Sequence, residues 1–387
     1  MKIMASEKTK NSYKQCSNCI LDTEDDPRLI LDEKGICQYC LNYKEEAKHY
    51  LKTGKEAEDL LGQTLSKIKE YGKNKKYDCL IGLSGGVDSS YVAYLAKQYG
   101  LRPLCVHFDN GWNSELAVMN INNIVTKLDF DLNTYVIDWE EFRDLQLAYL
   151  KASVIDIEVL TDHAIYGTMF KIAKDNNIKY VLGGHNIVTE SVLPYHWTYN
   201  KKDYINIKAI HKQYGQLELK SFPFLDRKMK KFIRNSGVEF INYLNWVSFV
   251  KDNVKKILQK ELDWRDYGGK HSESVWTRFY QGYILPVKFK VDKRKAHLSS
   301  LICSGQMTRE EALEEMKRPP YVPEVLKIDK EFVLKKLGLS EREFDAIMKL
   351  PVRDHREFDV EGSLFHYYPS LKPLKPIWDR IKTLKQT

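Results

Sequence analysis

The chain has 387 residues, 43% hydrophobic, 12% aromatic and 29% charged, with a formal net charge of +8. That is enough chain and apolar content for a large globular domain with smaller modules, two or three units in all. No apolar run approaches a membrane span and Met1 to Tyr13 lacks the apolar core of a signal peptide. A cytoplasmic protein without a membrane partner is therefore expected. The positive charge suits nucleic acid, nucleotides or acidic sugars and selects none of them.

Four of the seven cysteines form Cys16-x2-Cys19 and Cys37-x2-Cys40, with 17 residues between the pairs. The spacing falls within the zinc-ribbon pattern. Each pair points two thiolates at one centre, and four thiolates leave no open position. A structural Zn2+ is expected, in a ribbon spanning 1–42. Two disulfides, a redox pair or an iron–sulfur centre are the competing readings, the first disfavoured in a cytosolic chain. Cys79 and Cys105 fall in expected core strands, and Cys303 stands alone on an expected helix, where packing is favoured over catalysis.

Residues 43–74 read as one or two linker helices. Leu60, Leu61, Leu65 and Ile68 have helical spacing, and Gly54 is a candidate break. The apolar run Tyr77-Asp78-Cys79-Leu80-Ile81 then leads into Gly82-Leu83-Ser84-Gly85-Gly86-Val87-Asp88-Ser89-Ser90, and a helical pattern follows from Tyr91. A small-residue loop between strand and helix is a phosphate cradle: glycines let backbone N–H groups approach, and the helix N-terminus favours an anion. The common P-loop needs a Lys here, and none occurs between Lys76 and Lys97.

Strands are predicted at Cys79–Leu83, Pro103–Phe108, Asn133–Ile137 and Tyr180–Leu182. Helices are predicted at Val87–Tyr99, Ser114–Leu128, Trp139–Leu150 and Asp162–Asn176. Such alternation implies an α/β core over 75–225, a parallel sheet with helices on both faces and ligands at the carboxyl ends of the strands. Two further strand ends carry candidate groups. One is Val106-His107-Phe108-Asp109-Asn110-Gly111-Trp112, where Asp109 reaches substrate or metal, or forms a turn with Gly111. The other is Gly183-Gly184-His185-Asn186, where His185, Asn186 and the nearby Glu190 are polar groups offered to a ligand, unless they cap or face solvent.

From Leu193 to Phe222 little regular pattern is seen. Its tyrosines, His196 and Trp197 suggest an insertion that either contacts a sugar or nucleotide or simply packs. Residues 226–318 read as a helical extension with two cationic clusters, Lys270 after Gly268-Gly269, and Lys293-Arg294-Lys295. Residues 319–387 read as an accessory helical region; capping boxes fit at Thr308–Glu311, before it, and at Ser340–Glu343, within it.

The Ser84 loop resembles the SGGxDS loop of the ATP pyrophosphatase (PP-loop) family. The resemblance implies cleavage of ATP between the α- and β-phosphates. Ser84, Gly85, Gly86, Val87, Asp88, Ser89 and Ser90 would hold pyrophosphate, the segment Val106, His107 and Phe108 would border adenine, Gly183 and Gly184 would approach the nucleotide, and Mg2+ would accompany ATP. The ribbon, SGGVDSS, HFDNGW, GGHN, GGKHSES and DKR…SGQMTREEAL together resemble N-acetyl sugar amidotransferases of bacterial surface-polysaccharide (lipopolysaccharide O-antigen) biosynthesis.

That family implies conversion of an acetamido group on a nucleotide-activated N-acetyl sugar to an acetamidino group. ATP adenylylates the amide oxygen, and ammonia displaces AMP. Asp88, Lys270, Arg294 and His185 would be catalytic, with Asp109, Asn110, Asn186, Glu190, His271 and Glu273 toward the substrate. No glutaminase nucleophile is found, so a separate glutaminase with a cyclase-like subunit would supply ammonia. A tRNA-thiolating PP-loop enzyme and a non-catalytic zinc-ribbon protein that binds nucleic acid are the alternatives, both ranked below.

Overall fold

The computed structural model describes residues 13–268, 273–362 and 373–374, so the expected roles of Lys270 and His271 lie outside the described residues. Helices α1 (Gln38–Tyr50) and α2 (Gly54–Gly72) are separated at Leu51–Thr53, and Gly54 opens the second with a φ of +56°. Strands β1 (Cys79–Gly82), β2 (Pro103–Asp109), β3 (Asp131–Val136) and β4 (Tyr180–Leu182) alternate with helices α3 (Val87–Gln98), α4 (Glu115–Leu128), α5 (Trp139–Ala152) and α6 (Val159–Asp175). A short helix, α7 (Ile187–Glu190), follows β4.

All strand pairs are parallel, and the order is β3-β2-β1-β4-β5, where β5 (Glu239–Ile241) is an edge strand absent from the expectation. Three residues without apolar alternation give too little signal to read. β1 is buried on both faces. Cys79 and Ile81 pack with α3, α4 and α2, whereas Leu80 packs with Met169, Ile172 and Ala173 of α6. This is why a central parallel strand reads as a continuous apolar run. The chain winds outward from β1 through β2 to β3, then returns to β4 on the other side of β1. The direction of winding reverses between β1 and β4, and a crevice opens at their carboxyl ends.

The segment expected to be irregular contains α8 (Tyr204–Tyr214), with Tyr204, Ile207 and Ile210 buried at helical spacing. Its aromatic residues mostly pack. The Trp197 indole donates to the Asp25 carbonyl at 3.1 Å, and Tyr199 stacks on His355 at 4.2 Å. Beyond it come α9 (Arg227–Ser236), α10 (Lys251–Leu262) and α11 (Val275–Phe279), then a π-helical stretch from Tyr280 to Phe289. Helices α12 (Arg294–Cys303), α13 (Arg309–Met316), α14 (Pro323–Leu337) and α15 (Glu341–Lys349) follow, the second and fourth of them opened by the two expected capping boxes. Among the described residues no helix is long and apolar enough to cross a membrane.

Two core histidines give the fold an acid-labile character. His163 donates from Nδ1 to the Lys201 carbonyl and accepts at Nε2 from Leu225 N–H, both at 2.9 Å. His355 donates from Nδ1 to Asn206 Oδ1 at 2.9 Å. Burial lowers each from 6.5 to about 4. The unfolded chain therefore takes up these protons first. The stabilisation is complete above pH 6.5 and is lost as pH falls toward 4, by roughly 3 kcal/mol per histidine. Thermal unfolding from pH 7 to pH 4 is expected to show this loss, and a flat profile down to pH 5 would contradict it.

Candidate active site

The loop after β1 is shaped by Gly85. Its φ is +80°, and a Cβ there would lie 2.8 Å from the Ala117 carbonyl oxygen, so only glycine fits. Ser84 Oγ accepts from Gly86 N–H at 3.2 Å and lies 3.1 Å from Ser89 Oγ, while Ser90 Oγ donates to the Gly86 carbonyl at 2.6 Å. The N-terminus of α3 thus opens at the crevice, which Val87, Asp88 and Ser89 line. Gly184, at the end of β4, comes close enough that a Cβ would lie 3.1 Å from Ser89 N.

Two cavities adjoin across this loop. The smaller, about 260 Å3, is lined by Ser84, Gly86, Val87, Asp88, Ser89 and Gly184, and by Lys251, Lys255 and Tyr267 from α10 and the segment after it. Lys255 pairs with Asp266 at 2.6 Å, and Val87 N–H donates to Tyr267 Oη at 3.2 Å. The larger, about 600 Å3, lies between the carboxyl ends of β1 and β2, the face of α6 and the start of α12. Ser84, His185, Glu190 and Glu273 line both. His185 Nδ1 and Glu190 Oε2 are 2.7 Å apart.

The larger cavity has an apolar end and a polar end. Gly82, Val106, Phe108, Ile165 and Met169 make the first, with His107 beside them. His107 donates from Nδ1 to the Leu83 carbonyl at 3.1 Å and accepts at Nε2 from Asn113 at 3.2 Å. Glu158, Asp162, Lys201, Gln281, Lys293 and His297 make the second. Lys293 lies 3.3 Å from Glu158, and Lys201 bridges Asp162 at 3.1 Å to the fully buried Asp156 at 2.7 Å. Burial raises the Asp156 carboxyl, but the cations of Lys201 and Lys293 outweigh it and hold it down to about 2. The group is anionic and locks Lys201 in place.

Several expected residues therefore meet at the crevice, and others do not. Ser84, Gly86, Val87, Asp88, Ser89, Val106, His107, Phe108, Asn110, Gly184, His185, Glu190 and Glu273 line one or both cavities, whereas Gly85, Ser90 and Gly183 lie behind them. Asp109 Oδ1 accepts from Gly111 N–H at 2.8 Å and closes the turn instead of facing the cavity. Asn186 is fully buried. It caps α7 through Thr189 N–H at 3.0 Å, and its amide donates to Asp88 Oδ1 at 3.0 Å, so it orients Asp88. Arg294 does not reach either cavity. Its guanidinium is held by Asp292 at 2.6 Å and the Arg318 carbonyl at 2.8 Å, and Lys293 occupies the cavity wall.

The four ribbon cysteines are fully buried, with all four Sγ atoms within 4.8 Å of one another. The close pairs are 3.7, 3.7 and 3.9 Å apart. Four thiolates around one tetrahedral ion with metal–sulfur bonds near 2.3 Å would stand about 3.8 Å apart, so the cluster fits a metal centre and not two disulfides. Cys303 is not isolated: its Sγ lies 3.5 Å from that of Cys40. Lys295 reaches Asp22 and Asp25, both at 2.8 Å, and Arg309 donates to the Cys19 carbonyl at 3.1 Å. One helix, α12, thus holds the ribbon on one side and walls the larger cavity on the other.

A parallel sheet in the order β3-β2-β1-β4-β5 with a glycine–serine loop at its switch point defines a doubly wound α/β protein, joined to a tetracysteine module and a helical C-terminal region. Residues 273–372 match the family model described as LPS biosynthesis protein WbpG-like, C-terminal domain. No curated protein matches the chain. Among solved structures, an NMN synthetase from Francisella tularensis is similar at 15% identity, covering 72% of this chain and 96% of that one, with a TM-score of 0.36. An NH3-dependent NAD synthetase from Campylobacter jejuni is similar at 16% identity, covering 55% of this chain and 98% of that one, with a TM-score of 0.29. A predicted tRNA methyltransferase subunit from Methanocaldococcus jannaschii is similar at 12% identity, covering 46% and 74%, with a TM-score of 0.27. The strand order itself defines the fold.

Proposed function

We propose that this chain is an AMP-forming, ATP-dependent amidotransferase that converts an acetamido group of a nucleotide-activated N-acetyl sugar to an acetamidino group. The observation that carries this reading is the junction of the two cavities at Ser84, His185, Glu190 and Glu273. A triphosphate with its tail in the smaller cavity would present its α-phosphate to the larger one, where an acceptor would sit. The match of residues 273–372 supports an acceptor from polysaccharide synthesis.

In this reading the Ser84–Ser90 loop and Lys251 take the departing pyrophosphate, and the backbone from Val106 to Phe108 borders adenine. Asp88 and Glu190 would hold Mg2+, which would neutralise pyrophosphate charge. His185, fixed by Glu190, orients the amide oxygen. That oxygen attacks the α-phosphorus and pyrophosphate leaves. Ammonia then adds to the imidate carbon and AMP departs, leaving an amidine. An amide oxygen is a poor leaving group, and transfer to AMP removes that obstacle. Lys270 and His271 keep their expected phosphate and substrate roles on motif alone.

The tetracysteine centre holds a structural Zn2+. A separate glutaminase with a cyclase-like subunit supplies ammonia, so the isolated chain uses free ammonium. The thiolation alternative is weakened because Cys79 and Cys105 are fully buried and burial pushes both thiols up, Cys105 to about 12.

The test is incubation with Mg-ATP, ammonium and a panel of UDP- and CMP-linked diacetamido sugars. AMP that depends on one sugar, with a product lighter by the difference between O and NH, is expected. AMP release stimulated by tRNA and by no sugar, with the glutaminase subunits present, would refute the reading.

A further inference from the structure

Helix α6 turns one face toward the larger cavity. Thr161, Ile165 and Thr168 follow at helical spacing, flanked by Asp162 and Met169. The Thr168 end meets the sheet: a Cβ on Gly82 would lie 3.3 Å from the Met169 methyl. Thr168 is 0% exposed, and its Oγ1 has no hydrogen-bond partner. A helical threonine can return its hydroxyl to the carbonyl four residues earlier, and this one does not. A buried polar group with no protein partner at the wall of a cavity is costly to the ligand-free fold, and a ligand group can supply that partner.

We propose that the Thr168 hydroxyl is a base-reading contact, hydrogen-bonding the edge of the nucleobase that lies against Val106 to Phe108. The inference rests on the nucleotide reading above. The surroundings favour a base over other parts of a ligand. Gly82, Val106, Phe108, Ile165 and Met169 form an apolar slot with no cation among them, suited to a planar purine and unsuited to phosphate. Phosphate donors lie on the far side of Ser84. The charged groups Glu158, Lys201 and Lys293 gather at the other end of α6, near Thr161 and Asp162, about 10 Å along the helix from Thr168. A hydroxyl both donates and accepts, so it pairs with a ring nitrogen or an exocyclic amine.

The test compares wild type, Thr168→Val and Thr168→Ser by calorimetric titration with Mg-ATP, adenosine and Mg-pyrophosphate. The valine variant is expected to bind ATP and adenosine about tenfold more weakly, with pyrophosphate affinity within about twofold of wild type. The serine variant is expected to bind all three like wild type. Because valine removes a buried unpaired hydroxyl at nearly constant volume, the ligand-free valine variant is expected to melt no lower than wild type. Unchanged ATP and adenosine affinity in Thr168→Val would overturn the proposal, as would an equal loss of pyrophosphate affinity. Failure of the wild type to bind ATP, adenosine or pyrophosphate would instead overturn the nucleotide reading on which it rests.

Discussion

Asp88→Asn is expected to lower AMP formation on the order of 10²- to 10³-fold while leaving the fold intact. Asp88 sits in the first turn of α3 and lines the smaller cavity, and its Oδ1 accepts from the buried Asn186 amide at 3.0 Å. Asparagine can keep that bond through its own Oδ1, so the change removes charge without removing the contact. What is lost is the anion that would hold Mg2+ beside the leaving pyrophosphate. The loss should appear in turnover rather than in sugar affinity, because the larger cavity is untouched. Melting within about 1 kcal/mol of wild type, together with the fall in rate, is the expected pair of results. A variant with wild-type turnover would remove Asp88 from the chemistry. An Asn186→Ala variant is expected to be intermediate, since Asp88 keeps its charge and loses its orientation.

Removing the metal centre is expected to have the other large effect. Cys37→Ser should abolish binding of one Zn2+ per chain and open residues 13–40 to proteolysis. Structural zinc supplies about 10 kcal/mol or more of folding free energy in small modules, more than so short a segment can replace. The consequence should reach the active site through α12. Lys295 would lose Asp22 and Asp25, which are 3% and 6% exposed in the folded ribbon, while Lys293, Ala296 and His297 on the same helix wall the larger cavity. The KM for sugar should therefore rise more than the affinity for ATP falls. Proteolytic mapping with metal content by mass spectrometry checks the first part, and a kinetic split between sugar and ATP checks the second. A zinc-free chain with an unchanged sugar KM would show that the ribbon and the cavity are independent.

Local backbone pattern is the part of the molecule legible in the sequence. The cysteine spacing and the glycine–serine loop each lie within one short segment, and their backbone demands can be read residue by residue. The four buried or edge strands from Cys79 to Leu182 were also readable, because apolar runs alternate with helical patterns. Direction was not readable. Lys293, Arg294 and Lys295 form one cationic run, yet successive helical positions point about 100° apart. Lys293 faces Glu158 and the cavity, Arg294 turns back to Asp292, and Lys295 reaches the ribbon. The same holds for Asp109 and Asn186, where the sequence leaves ligand contact open beside a turn or a cap; the first serves a turn and the second a helix cap. Lys251, Lys255 and Tyr267 were missed because they reach the loop from far along the chain with no local motif. Thr168 was hidden in a helix face that reads as core.

In the proposed reaction the acceptor's amide oxygen attacks the α-phosphate of ATP. Oxygen-18 in the acetamido carbonyls of a diacetamido sugar, turned over with Mg-ATP and ammonium, follows that oxygen. Transfer of one labelled oxygen to AMP for each amidino group formed is the expected result. Unlabelled AMP, or cleavage to ADP and phosphate with the label in phosphate, would contradict the adenylylation mechanism.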